Sequence, residues 1–144
     1  MFSPPTLSTH GRPQAFANAY RQVGAETAVA AATPHGLVRM LFDAYLDAIA
    51  QARGALRHGQ IEVKARAISR AVRIVDEGLR ACLDLKAGGA LAADLNDLYA
   101  YLATRLTLAN LRNDETLLDE CQRLVTPLRD AWLEIGHRVQ EAHT

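Results

Sequence analysis

The chain has 144 residues, enough for one ordinary domain and too few for two. With 49% hydrophobic and 22% charged residues, it can bury a core without staples. Sixteen basic residues balance sixteen acidic ones, which argues against nucleic acid or an anionic membrane as the main partner.

Residues 1–15 carry Pro4, Pro5, Gly11 and Pro13 among Ser and Thr, and read as a flexible leader. They lack a basic stretch followed by an apolar one, so no signal peptide is expected. Residues 16–144 read as a single helical domain. Its first part, residues 16–31, is weakly amphipathic. Phe16, Tyr20 and Val23 recur there at helical spacing, which predicts a short helix or hook.

Thr33-Pro34 is the first strong helix start, a capping residue followed by a proline at the first helical position. The helix should run to Arg57 and stop at Gly59. Leu37, Leu41, Ala44 and Ala48 form one stripe; Val38, Phe42, Tyr45, Ile49 and Leu56 form a second. Asp43 and Asp47 sit on its polar edge.

A second helix is predicted from Ile61 to Leu85, ending at Gly88-Gly89. Ile61, Ala65, Ile68, Val72, Val75, Leu79 and Cys82 make a core seam. Beside it, Ala67, Ala71, Ile74, Gly78 and Ala81 form a smaller seam that another helix could approach closely. The third helix, from Leu91 to Leu111, presents Leu91, Leu95, Leu98, Leu102, Leu106 and Ala109 to the core. Tyr101, Leu108 and Leu111 cluster on nearly the opposite side, and a second apolar face needs a cover or a partner. Asn110 lies beside the core seam, where its amide needs a hydrogen-bonding partner. Asp114 caps a fourth helix from Glu115 to Val139, in which Pro127 predicts a kink or restart. Ala and Leu dominate, and no stretch alternates as a strand does. The expected fold is all-α, an antiparallel four-helix bundle with a short N-terminal hook and a flexible leader.

Little in the chain resembles catalytic or cofactor chemistry. Glu134-x-x-His137 occurs once, where a di-iron bundle needs it twice. His10, His35, His58 and His143 form no zinc-spaced set with Cys82 and Cys121, which read as buried thiols of a reducing cytoplasm. Nucleotide and nucleophile-elbow motifs are absent. No apolar run approaches the roughly 18 residues of a membrane span. The reading is a protein that is not an enzyme, with no cofactor, no metal, no nucleic-acid partner and no membrane insertion.

Ala19-Tyr20-Arg21-Gln22-Val23-Gly24, then Thr33-Pro34-His35-Gly36-Leu37-Val38-Arg39-Met40-Leu41-Phe42-Asp43, resembles the opening of the flagellar secretion chaperone family FliS. Ile74-Val75-Asp76-Glu77-Gly78-Leu79, Leu98-Tyr99-x-Tyr101-Leu102, Ala109-Asn110-Leu111-Arg112-Asn113-Asp114 and Leu128-Arg129-Asp130-Ala131-Trp132 continue the resemblance in order. Ala44, where the family usually has Gly, the long leader and Pro127 depart from its pattern. The resemblance implies a cytoplasmic chaperone that binds the disordered C-terminal region of flagellin. Binding would prevent premature polymerisation and deliver the subunit to the type III export apparatus. The export-gate protein FlhA is a family partner, and some members also bind an anti-sigma factor. Candidate flagellin-binding residues are Tyr20, Met40, Leu41, Tyr45, Tyr101, Leu108, Asn110 and Leu111. Phe16, Tyr20 and Val23 are candidates for a lid over the client surface. The alternative is a structural homo-oligomeric bundle with no client.

Overall fold

A computed structural model describes residues 33–142, with side chains through residue 137. The leader and the predicted hook, with Phe16, Tyr20 and Val23, lie outside the described residues. The elements are α1 (Pro34–Arg57), α2 (Ile61–Arg73) continued by a π-helical segment (Ile74–Arg80), α3 (Gly89–Arg112) and α4 (Glu115–Ala142). The described residues form an all-α bundle without strands.

Local chemistry sets the ends. Thr33 Oγ1 accepts from the Gly36 N–H at 3.0 Å and caps α1. Gly59 has a φ of +69°, a left-handed conformation that costs glycine little and lets the chain reverse into α2. Asn113 takes the same region, with φ 52°, after α3. The Asp114 carboxylate then accepts from the Thr116 N–H (2.9 Å) and hydroxyl (2.6 Å). These bonds hold its carboxyl below the usual range.

Contacts between helices give the antiparallel order. His35, Tyr45 and Arg53, descending α1, meet Trp132, Cys121 and Glu115, ascending α4. Lys64 near the start of α2 meets Asn110 near the end of α3. Helix α1 packs on α2 and α4, and α3 packs on the same two.

Three expectations are corrected. The second helix is not α-helical to Leu85; it becomes π-helical at Ile74 and ends at Arg80. A π turn holds more residues than an α turn, and Ile74, Val75, Gly78 and Leu79 all stay buried along it. The predicted seam is buried at Ile68, Val75, Leu79 and Cys82 but not at its first residue, Ile61, which is exposed, and the buried side is wider than that seam, taking in Lys64, Ala67 and Ala71. Helix α4 runs unbroken through Pro127, without a restart.

Candidate functional site

Core and surface divide unevenly around the bundle. The small-residue seam of α2, expected as an open approach surface, is already covered. Ala67, Ala71, Ile74 and Gly78 are buried. A methyl on Gly78 would sit 2.9 Å from Leu41 Cδ2, so α1 has used the close approach that glycine permits. Leu41 and Tyr45 are therefore core side chains with no exposed surface. The Tyr45 hydroxyl donates to the Cys121 carbonyl at 3.1 Å. Burial raises the Tyr45 phenol well above its ordinary value and pushes the Cys121 thiol up to about 12.

The other side of α1 opens onto an apolar groove of about 210 Å³. Val38 and Phe42 of α1 form its floor with Leu79, Cys82 and Leu83. Leu91, Leu95 and Tyr99 of α3 form one wall; Leu128, Ala131, Trp132 and Ile135 of α4 form the other. No charged side chain lines it. Leu91, expected in the core, is 68% exposed, and Ile135 is 49% exposed. Burial also raises the phenol of Tyr99 above its ordinary range.

Trp132 is held by a reciprocal clasp. Its indole Nε1 donates to the His35 carbonyl at 2.9 Å. His35 Nε2 lies 2.8 Å from the Trp132 carbonyl, and since a carbonyl only accepts, Nε2 carries the hydrogen. The two rings stack with centroids 4.6 Å apart and planes 6° from parallel.

Among the described residues, none of the candidates taken from the sequence lines the groove. Met40 and Leu108 are half-buried and pack against the core. Leu111 is 80% exposed. Tyr101 is exposed, with its hydroxyl donating to Glu120 and its ring under Arg105, 5.6 Å from the guanidinium carbon. That bond, followed by one from Arg105, lowers the Glu120 carboxyl below its ordinary value. Within the bundle Asn110 is paired with Lys64, whose Nζ donates to its Oδ1 at 2.7 Å and its carbonyl at 3.0 Å. Lys64 is only 3% exposed, and its charge caps the carbonyl end of α3. The missed groove had a signal. Leu128, Ala131, Trp132 and Ile135 follow i, i+3, i+4, i+7 along the last helix.

Among the described residues no cluster of three or more His, Cys, Asp or Glu could hold a metal ion. No described helix is long and apolar enough to cross a membrane.

The family described as "Flagellar protein FliS" matches residues 16–139. The chain is 44% identical over 118 residues to the flagellar secretion chaperone FliS of Salmonella typhimurium, covering 82% of this chain and 87% of that protein. It is 42% identical over 118 residues to the flagellar secretion chaperone FliSB of Pseudomonas aeruginosa, covering 82% and 93%. Over 116 residues it is 39% identical to the Escherichia coli flagellar secretion chaperone FliS, covering 81% and 85%. This chain belongs to the FliS family of flagellar secretion chaperones, a family of chaperones and not of enzymes.

Proposed function

We propose that this chain is a cytoplasmic chaperone that binds the disordered C-terminal region of flagellin, prevents its premature polymerisation and delivers it to the flagellar export apparatus. The observation that carries this reading is the open groove without a charged side chain in its lining. Such a groove suits the apolar face of an amphipathic helix. Ordering a disordered segment costs about 2–5 kcal/mol. At about 25 cal/mol per Å², roughly 200 Å² of newly buried apolar surface offsets the upper figure. The groove, flanked by the exposed Leu91 and Ile135, is a surface on which that burial can occur. The exposed α3 face carrying Tyr101 and Leu111 is a flanking contact in this reading. Phe16, Tyr20 and Val23 belong to a lid that competes with the client, and FlhA receives the complex.

Calorimetric titration of full-length flagellin, and of flagellin lacking its C-terminal region, into the full chain tests the proposal. Stoichiometric binding of the first and none of the second is expected. Failure of both to bind, with light scattering showing a stable oligomer, would replace it with the structural homo-oligomer. Deletion of residues 1–24 should strengthen binding if they cover the groove. Abolished binding with the bundle intact would assign Tyr20 to the client site.

A further inference from the structure

The groove's α4 wall depends on a residue outside the groove. His35, in the first turn of α1, does not line it. It nevertheless contacts Trp132 in three ways: a hydrogen bond to the Trp132 carbonyl, one from the indole N–H, and a parallel ring stack. The two hydrogen bonds run in opposite directions between two helices, so each fixes the ring that the other leaves free to rotate. An indole paired by its N–H and stacked on one face retains little freedom to swing into the adjoining cavity.

The neighbouring turn of α4 is adapted to the same ring. Gly136 lies four residues after Trp132, on the same helix face. A methyl there would overlap the imidazole of His35 at Cε1, with Nδ1 and Nε2 each 3.0 Å away. Glycine in a helix interior costs about 1 kcal/mol relative to alanine. Here its lack of a side chain provides the space that the imidazole occupies. His35, Trp132 and Gly136 thus form one interlocked unit that joins the start of α1 to the second half of α4.

We propose that His35 is a positioning residue for the client groove, holding the Trp132 indole as a wall through a stack that Gly136 makes room for. This rests on the client reading above and assigns its wall to a residue that does not itself meet the client. The unit predicts a specific non-additivity. Once the imidazole is gone, a methyl at position 136 has nothing to displace.

The test uses the full chain and a peptide of the flagellin C-terminal region, titrated by calorimetry below the onset of unfolding for every variant. Trp132 is the chain's single tryptophan, so its near-ultraviolet circular dichroism reads the stack directly. His35→Ala and Gly136→Ala should each weaken peptide binding about tenfold, and the double variant no more than His35→Ala alone. Each single variant should also lose the Trp132 dichroic band. If His35→Ala does not fold, His35→Phe serves in its place. It keeps a stacking ring and removes only the Nε2 donor, so part of the band and part of the affinity should remain. Additive losses, or a Trp132 band unchanged without the imidazole, would overturn the inference. Peptide binding by the wild type with His35→Ala unaffected would overturn it alone. Failure of the wild type to bind would overturn the client reading and this inference with it.

Discussion

The α1–α2 seam and the groove between α1, α3 and α4 use the same kinds of side chain and end in opposite states. At the seam, Leu41 lies against Gly78, and Leu41, Ile49, Ala67 and Ala71 are all buried. At the groove, Val38 and Phe42 of the same helix face leucines and a tryptophan held apart, and a cavity remains. The difference lies in the opposite surface. Small residues let two helix axes approach until the large side chains between them are enclosed. At the groove large residues stand on both walls, one of them clasped to His35, and a cavity is left between them. Hydrophobicity alone therefore does not mark an open surface; the size of what stands opposite does.

The sharpest way to break this comparison is at the seam. Leu41→Ala should destabilise the fold by about 2–5 kcal/mol, because the side chain is fully buried and the packed seam cannot collapse onto the space. Chemical denaturation measures it. A cost under about 0.5 kcal/mol, the range of an ordinary surface change, would mean that the seam is not the closed region described here.

Asn110→Ala tests a polar exception within the closed part of the bundle. It leaves the buried Lys64 ammonium with only the carbonyl at position 110. Stability should fall by about 1–3 kcal/mol, the cost of removing a buried partner, and flagellin affinity should hold. Lost affinity at unchanged stability would move Asn110 to the client surface.

At the groove the order reverses. Leu91→Glu and Ile135→Glu place charge where the lining has none. Each should weaken flagellin binding about tenfold while changing stability by less than about 0.5 kcal/mol, as expected of exposed positions. Unfolding by either would show that these residues are core and that the groove is closed in solution.

The sequence made legible what adjacent residues decide. Thr33, Gly59, Asn113 and Asp114 each announce a helix end through their own backbone or side-chain chemistry, and each stands at one. The second apolar side of α3 was also readable, since the exposure of Tyr101 and Leu111 follows from helical spacing. Features set by distant residues were not. Whether the two stripes of α1 meet alanine or leucine depends on how α2 is turned, and its 4-3 pattern, right at Ile68, Val75, Leu79 and Cys82, brought Ile61 inward and left the buried Ala67 and Ala71 on a neighbouring seam. Asn110 could be flagged as needing a partner, yet Lys64 lies 46 residues away on a position that reads as solvated. His35 and Trp132 are 97 residues apart, and neither signals the other. The π-helical segment contains Gly78, but one glycine within a helical pattern does not announce a π turn.

The smallest expected effect concerns the charged end of the bundle, where neither enclosure nor an apolar cavity operates. Glu115 at the start of α4 accepts from Arg57 and Arg53 at the end of α1, and Arg53 also reaches Asp119 and Gln122. The bonds from Arg57 first, then those from Arg53, hold the Glu115 carboxyl below its ordinary value of 4.5. A carboxyl whose pKa is lowered by folding stabilises the native state above its unfolded value. That contribution is lost as pH falls through the lower, folded value. Acidification from neutral pH should leave this end unchanged until the ordinary carboxylate range, then lower the melting temperature. Glu115→Gln should flatten that acid limb without changing its neutral plateau much, because the cluster is open to solvent and screened. Added salt should shrink the difference between Glu115→Gln and wild type further. An acid limb of unchanged slope in Glu115→Gln would shift the acid sensitivity to the other lowered carboxyls, Asp114 and Glu120. Of these, Glu120 can be separated by Tyr101→Phe, which removes the hydrogen bond that lowers its carboxyl most and leaves Arg105 in place.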